Sequence, residues 1–337
     1  MATVETRPAR LRRDLPQWLR ALVRPVPLGL AAACVFLVVG SLLSNDFAQQ
    51  TVAGLAQGTI FGSLALALVL IYRATEVINF AQGEMAMATT YVAYQLISWG
   101  LSYWEAFFAT LVVAFVFGVV VQVVFIRPVQ HTSVIAVVIV TVGLFILIDG
   151  LVTWKWGADL KFMPAPFGKT VYHVGGVAFA QQDLGTLLVS VLSVLLLWAL
   201  FRFTKLGLAM RAAALRPASA RLVGVRVDRM LAIGWGFAAV LGAVAGLMAE
   251  PAQYVLQPSL MQPILLYAFA AAVLGGLESP AGAVVGGIAL GVFLNLVGQY
   301  VGFVTSELRL PFAFAVLLVV LLVKPAGLFG RARVRRV

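Results

Sequence analysis

The chain has 337 residues, of which 62% are hydrophobic and only 11% are charged. Soluble globular proteins carry about a quarter charged residues, so this composition excludes that class and indicates an all-α polytopic membrane protein. The net charge is +11. On a membrane protein such a basic excess is expected in cytoplasmic loops, and we do not interpret it as a surface for nucleic acid.

The amino-terminal segment, residues 1–27, is a basic tail with six arginines. No convincing small-residue cleavage site follows the next apolar run, so we interpret the segment as an uncleaved cytoplasmic tail and not as a signal peptide. If Pro16 opens a short amphipathic helix, the arginines would contact anionic membrane lipids. A disordered tail is the alternative.

The apolar runs after this tail predict about ten transmembrane helices. A span needs roughly 17–25 mainly apolar residues. The eighth and tenth runs are short or marked by glycine and proline, so eight or nine full spans remain possible. The predicted spans within a transmembrane domain of residues 28–323 are 28–43, 52–72, 77–98, 104–126, 134–153, 184–201, 231–250, 261–277, 281–301 and 311–323.

The basic residues predict the orientation of these spans, because lysine and arginine collect on the cytoplasmic side. With the amino terminus inside, all but four of the 24 basic residues fall on inner segments. The spans therefore predict that both termini are cytoplasmic, including a second basic tail at 324–337. The four outer residues are Lys155, Lys161, Lys169 and Arg309.

The long outer segment, residues 154–183, is rich in glycine, proline and aromatic residues. Trp154 and Trp156 stand where an interfacial aromatic belt is expected. The segment is either a simple connector or a surface for an external partner.

The central segment, residues 202–229, carries seven basic residues against the single acid Asp228. We interpret it as the contact between this membrane subunit and a soluble partner, with Leu222 and Val223 projecting into a cleft of that partner. A plain basic loop that meets lipid headgroups is the alternative.

Local patterns predict the structure of the central segment. Helix-favouring residues indicate a helix over 205–215. Pro217 can open a second short helix, 217–223, which Gly224 would close. Asp228 is expected to be the amino-terminal cap of the next span.

Motifs for catalysis or cofactor binding are absent from the sequence. The Gly-Lys-Thr sequence at 168–170 lacks the first glycine of a phosphate loop, because Met163 stands at that position. His131 and His173 are predicted on opposite sides of the membrane, without cysteine or paired acids at metal-binding spacing. We therefore expect no catalytic site, metal or cofactor in this chain, and an intramembrane enzyme is disfavoured.

Acidic residues inside the predicted spans are few, which disfavours an ion-coupled carrier. Glu84 is the one acid expected to face an interior path, whereas Asp149, Glu250 and Glu278 stand near span ends. The energy for any transport is then expected to come from another protein.

Four separated motifs carry a resemblance to a known family. Residues 205–230, K-L-G-L-A-M-R-A-A-A-L-R-P-A-S-A-R-L-V-G-V-R-V-D-R-M, resemble the cytoplasmic coupling segment of the permease subunits of branched-chain amino-acid ABC importers. The family's other motifs are similar to residues 57–85, which end in V-I-N-F-A-Q-G-E-M, to residues 271–287, and to K-P-A-G-L-F-G at 324–330.

This resemblance implies a type II ABC-importer-like permease in the cell membrane, without a catalytic site of its own. ATP would be bound by attached ABC ATPase subunits. The further implied partners are a second permease subunit in a heterodimer and an extracytoplasmic solute-binding protein, for which 154–183 and 254–263 are candidate docking surfaces. The residues implied in coupling to the ATPase are Lys205, Gly207, Arg211, Arg216, Pro217, Arg221, Gly224 and Asp228.

A polar group in the third predicted span is the candidate translocation path, and a buried polar clamp is the alternative. Lipid exposure of these residues would cost several kcal/mol, so they are expected to face protein or water. Gln82 stands where the family usually has histidine, and it cannot take a charge near neutral pH. The path residues are Asn79, Gln82, Gly83 and Glu84.

Glycines at small-residue spacing are expected to pack helices backbone to backbone. They are Gly58, Gly62, Gly275, Gly276, Gly282 and Gly286.

Three functions remain to be weighed. The favoured one is import of branched-chain or related amino acids. A urea or short-amide ABC permease shares much the same motifs and is the first alternative, and an ion-coupled secondary transporter is the second.

Overall fold

The computed structural model describes residues 37, 38, 40, 44–130, 132–168, 170–174, 177–253, 255–305 and 307–330. Several predictions lie outside these residues: the tail 1–27, almost all of the span 28–43, His131, Lys169, and most of the tail 324–337. By its internal contacts the chain divides into a unit up to Ala48 and a unit from Gln49.

The described residues are mainly helical. Each predicted span after the first overlaps one helix, and seven helices are long and apolar enough to cross a membrane. The predicted count of ten spans stays a prediction. In chain order the helices are α1 Asn45–Thr75, α2 Gln82–Ser98, α3 Tyr103–Val121, α4 Val134–Trp156, α5 Gln181–Phe203, α6 Lys205–Leu215, α7 Pro217–Leu222, α8 Val227–Gln253, α9 Met261–Gly275, α10 Pro280–Tyr300 and α11 Arg309–Val323.

Helix α8 is the centre of the bundle. It packs against α2, α3 and α5, and its middle is almost completely buried. Close approach to α3 depends on glycine, because a Cβ on Gly118 would meet the backbone of α8 at Trp235 and Gly236. The hydroxyl of Tyr103 on α3 donates to the Leu247 carbonyl of α8 at 2.9 Å.

Helix α3 ends in a π-helix, Gln122–Ile126, where the sequence predicted a continuous α-helix. The amide of Arg127 donates to the Gln122 carbonyl at 2.7 Å, five residues back. Single π turns inside helices are frequent at functional sites.

Helices α1 and α10 touch through their backbones. An added Cβ would lie 2.6 Å from Val292 Cα at Gly54 and 2.7 Å from Ile288 Cα at Gly58. From the other side, a Cβ on Gly291 would collide with the backbone of Gly58. Side chains larger than hydrogen are therefore excluded along this contact.

The outer segment contains a short β-hairpin, which the all-α prediction missed. Strands β1 Val171–Val174 and β2 Val177–Ala180 pair antiparallel, with Val171 opposite Ala180. A separate antiparallel bridge joins Lys161 to Leu256 by two hydrogen bonds of 2.9 Å. These pairings fix the segment that precedes α5 to the chain between α8 and α9.

The carboxy-terminal motif of the family packs on the end of α9. The amides of Leu328 and Phe329 donate to the carbonyls of Leu274 and Gly275 at 2.8 and 3.0 Å. Helix α9 ends at Gly275, earlier than predicted, because Gly276 has φ +102, a left-handed conformation that favours glycine. Two separate motifs thus form one contact.

We predict that Gly291→Val destabilises the protein. The new side chain would force α1 and α10 apart, and overpacking of this kind costs about 1–3 kcal/mol. Thermal unfolding in detergent should show a lower midpoint. The matched control is Gly143→Val on α4, where an added Cβ meets nothing within 4 Å. Equal midpoints for the two variants would contradict the prediction.

Candidate functional site

The central segment folds as two helices, with α6 matching the predicted bounds. Thr204 caps α6, since its hydroxyl accepts the Gly207 amide at 3.0 Å. The sequence analysis missed this cap, although threonine before a helix-forming run is a usual signal for one. Arg216, before Pro217, leaves the helical region at φ −144 and ψ 77, and α7 follows immediately.

A small apolar cluster fixes these two helices to α8. Ala213 of α6, Ala220 of α7 and Val227 of α8 are all buried against one another. Gly224 has φ +83, and this left-handed turn brings the chain from α7 to α8. The central segment is therefore a packed unit at the base of α8 and not an extended loop.

Two apolar side chains at the end of α7 project from this unit, as the sequence predicted. Leu222 is 89% exposed and Val223 is 78% exposed. Apolar residues exposed to this extent beside arginines form a surface suited to a protein partner.

Asp228 does not cap α8, which corrects the prediction. The helix already begins at Val227, and the Arg226 carbonyl accepts the first helical hydrogen bond, from Met230 at 3.1 Å. Asp228 is instead the second helical residue, where a negative charge is favoured by the helix dipole.

The Asp228 carboxylate joins three parts of the chain through ion pairs. It lies 3.6 Å from Arg127 after the π-helix and 3.7 Å from Arg221 on α7. These residues line a cavity of about 450 Å³ together with Arg226 and Arg229. The coupling residues predicted from sequence thus meet the end of α3, a contact that no local pattern showed.

The candidate path residues lie in the middle of the bundle. Gln82 donates to the Ala238 carbonyl of α8 at 3.0 Å. Ala238 is eleven residues beyond Val227, about 16 Å along α8 at 1.5 Å per residue, whereas α8 has 27 residues. Helix α2 therefore begins near the middle of α8.

The backbone before α2 is irregular although it is buried. Helix α2 was predicted from Val77 and begins at Gln82, and Val77, Asn79 and Ala81 are buried. Non-helical backbone at membrane depth is tolerated only inside protein or beside a water-filled cavity. This break marks α2 as a discontinuous membrane helix.

Asn79 and Gln82 satisfy each other and the surrounding backbone. The Asn79 amide donates to Gln82 Oε1 at 3.1 Å, and Asn79 Oδ1 accepts the Ala81 amide at 3.1 Å. Both side chains are buried. This geometry has the form of a polar clamp between α2 and α8, one of the two alternatives left open by the sequence.

Glu84 differs from these two neighbours. Its side chain is 0% exposed, and neither carboxylate oxygen has a hydrogen-bond partner in the part of the chain that the structure describes. Gln262 of α9 and Asp149 of α4 lie near enough to act on it electrostatically. Gly83 brings the two helix starts together, since an added Cβ would lie 3.0 Å from Leu265 Cβ.

Glu250 is a second buried acid, near the end of α8. Its Oε1 accepts the Met163 amide of the outer segment at 3.3 Å. Sequence reasoning placed it only near a span end. The structure assigns it a contact that holds the outer segment.

Comparisons with known proteins agree with the motifs. A family model described as "Branched-chain amino acid transport system / permease component" matches residues 50–321. The high-affinity branched-chain amino acid transport system permease protein LivH of Salmonella typhimurium is 30% identical, covering 86% of this chain and 98% of the relative. BraD of Pseudomonas aeruginosa, a permease protein described in the same words, is 29% identical over the same shares. The resemblance drawn from the sequence is confirmed.

A solved structure of PsaBC from Streptococcus pneumoniae in complex with Fab is also similar. It covers 85% of this chain and 94% of its own, with a TM-score of 0.44 and 12% identity.

We predict that Gln82→Ala lowers stability by about 1–3 kcal/mol, because it leaves the Ala238 carbonyl and the Asn79 amide without their partner. Gln82→His should lose less, since a neutral imidazole can donate with one nitrogen and accept with the other. Thermal unfolding in detergent measures both. Gln253→Ala, an exposed position on the same helix as Ala238, is the control. A Gln82→Ala midpoint equal to that control would show that the clamp contributes nothing.

Proposed function

The chain belongs to the family of permease components of branched-chain amino acid transport systems, and from this premise we propose that it is the membrane subunit of an ABC importer. It passes branched-chain or related amino acids into the cell, and a separate ATPase supplies the energy. The observation that carries the proposal is the packed unit of α6 and α7, which presents Leu222 and Val223 from the base of the most buried helix region.

The mechanism follows from this arrangement. Nucleotide binding closes the ATPase subunits, and the movement enters the permease through residues 202–229. Shifting a two-state permease from mostly one state to mostly the other takes about 5.5 kcal/mol of differential binding. A few exposed ion pairs supply about 0–1 kcal/mol each, so the chain is inert without its motor.

The finer architecture belongs to the same proposal. It comprises about ten spans of the type II ABC-importer kind, cytoplasmic termini, a heterodimer with a second permease, and an amino-terminal tail on anionic lipids. A solute-binding protein docks on the outer segment, which the hairpin and the Lys161–Leu256 bridge hold in place. Asn79, Gln82, Gly83 and Glu84 belong to the translocation region.

Urea or short-amide transport and ion-coupled transport are the rival functions. The relatives described above are named for branched-chain amino acid transport, which favours the amino-acid function. ATP-dependent uptake of a labelled panel of amino acids and urea, in proteoliposomes that hold the whole complex, separates all three.

We predict that Leu222→Glu abolishes co-purification of the ATPase subunit and lowers ATP-dependent uptake at least tenfold. A charge at the centre of an apolar docking surface costs several kcal/mol when it is buried without a partner. The permease itself should keep its thermal stability, because Leu222 contacts little of its own chain.

The control is Phe162→Glu, the same kind of change at an exposed residue of the outer segment. It should leave ATPase co-purification at the wild-type level. Retained ATPase binding in Leu222→Glu, or uptake by the isolated wild-type chain without ATP, would overturn the proposal.

A further inference from the structure

A buried carboxylate without hydrogen bonds needs a counter-charge or a proton. Glu84 is such a group, and the polar residues that act on it are an amide and a second acid, Asp149. Two neighbouring carboxylates make a negative potential, which burial strengthens because the local dielectric is low. The natural occupant of such a place is a cation that passes through.

The position of Glu84 also points to a transit site. It lies in the first turn of α2, which begins near the middle of α8 after the irregular residues 77–81. Gln262 lies in the first turn of α9, so two helix starts meet here. Transporters commonly hold substrates at discontinuous helices of this kind near the membrane midplane.

An apolar groove runs from this place along α2. Residues 84, 88 and 92 share one face of the helix, and Ala88 and Val92 line a groove of about 380 Å³ between α2, α3 and α4. The α4 side of the groove includes Ile148 and Val152, which flank Asp149 in sequence. The acid pair therefore adjoins a surface that suits an aliphatic side chain.

The chemistry of the residues fits an organic ammonium better than a metal ion. Among the described residues there is no group of three or more His, Cys, Asp or Glu side chains that could hold a metal. An ammonium has three donors, which two carboxylates and one amide oxygen could accept. The start of α2 has no side-chain cap, so its amides could meet the substrate carboxylate.

We propose that Glu84, with Asp149, is the subsite that receives the α-ammonium group of the amino acid during transit, with Gln262 as a further acceptor. The groove beside it takes the branched side chain. Asn79 and Gln82 do not contact the substrate and only hold the start of α2 on α8. This inference rests on the proposed transport of amino acids.

The first test uses the wild-type complex of both permeases and the ATPase, in detergent. A hydrophobic carbodiimide modifies buried carboxyl groups, and peptide mass spectrometry measures the label at each acid. Leucine and leucine amide, which carry the ammonium, should lower the label at Glu84 at least threefold, whereas 4-methylpentanoate, which lacks it, should not. The label at Glu250 should not change in any sample and is the internal control.

Equal protection of Glu84 by 4-methylpentanoate, or no protection by leucine, would overturn the proposal. Protection by sodium ions alone would overturn it as well, because Glu84 would then be a coupling-ion site. If Glu84 does not react, the variants below decide.

The second test compares Glu84→Gln with Glu84→Asp in proteoliposomes that hold the whole complex and its binding protein. Glu84→Gln should lower the initial rate of leucine uptake at least tenfold while binding-protein-stimulated ATP hydrolysis stays within twofold, and Glu84→Asp should restore part of the uptake. Thr110→Val removes another buried hydroxyl without a partner, on α3, and should transport normally.

The outcomes separate this inference from the proposed function. Absence of ATP-dependent amino-acid uptake in the wild-type complex would refute the function itself. Normal uptake in both wild type and Glu84→Gln would refute only the subsite. If uptake and ATP hydrolysis fall together in Glu84→Gln, with no ligand protection of wild-type Glu84, the residue has a structural role and the subsite is refuted.

Discussion

The close packing of α8 on α2 is the contact on which the rest of the arrangement depends. Gly242 and Gly246 face α2, where an added Cβ would lie 3.4 Å from Ala86 Cβ and 2.9 Å from the Ala86 carbonyl. In a membrane no hydrophobic force drives helices together, so such contacts depend on small residues and on hydrogen bonds between helices. The bond from Gln82 to Ala238 is the polar part of the same contact. Together they determine where α2 starts and hence where the Glu84 carboxylate lies.

Helix α8 also connects the two functional regions. Its first residue, Val227, is buried with Ala213 and Ala220 of the coupling helices, and Ala238, three turns later, holds the start of α2. A helix is stiff over this distance. A displacement of α6 and α7 by the ATPase therefore moves the base of a rigid element whose middle contacts the polar cluster. The Asp228 ion pairs extend the same movement to the end of α3, where the π-helix is the part of the backbone best suited to adjust.

The sequence predicted the features that depend on local chemistry. Helices α6 and α7 follow from helix propensity and Pro217, and the turn between α7 and α8 follows from Gly224. Features that depend on distant residues were missed. Asp228 looked like a cap because aspartate before a helix usually is one, but its partners, Arg127 and Arg221, are brought to it by the fold. The hairpin at 171–180 and the clamp between Gln82 and Ala238 likewise depend on contacts that no local pattern records.

The clamp also explains how glutamine can replace the usual histidine at position 82. The position needs one donor for the Ala238 carbonyl and one acceptor for the Asn79 amide. Glutamine supplies both, and a neutral imidazole supplies both, whereas a protonated imidazole has no acceptor. The contact therefore requires a neutral group, and no positive charge is needed beside Glu84. In this chain the electrostatics at the start of α2 are set by Glu84 and Asp149, so a cationic group that enters there meets two acids without competition from residue 82.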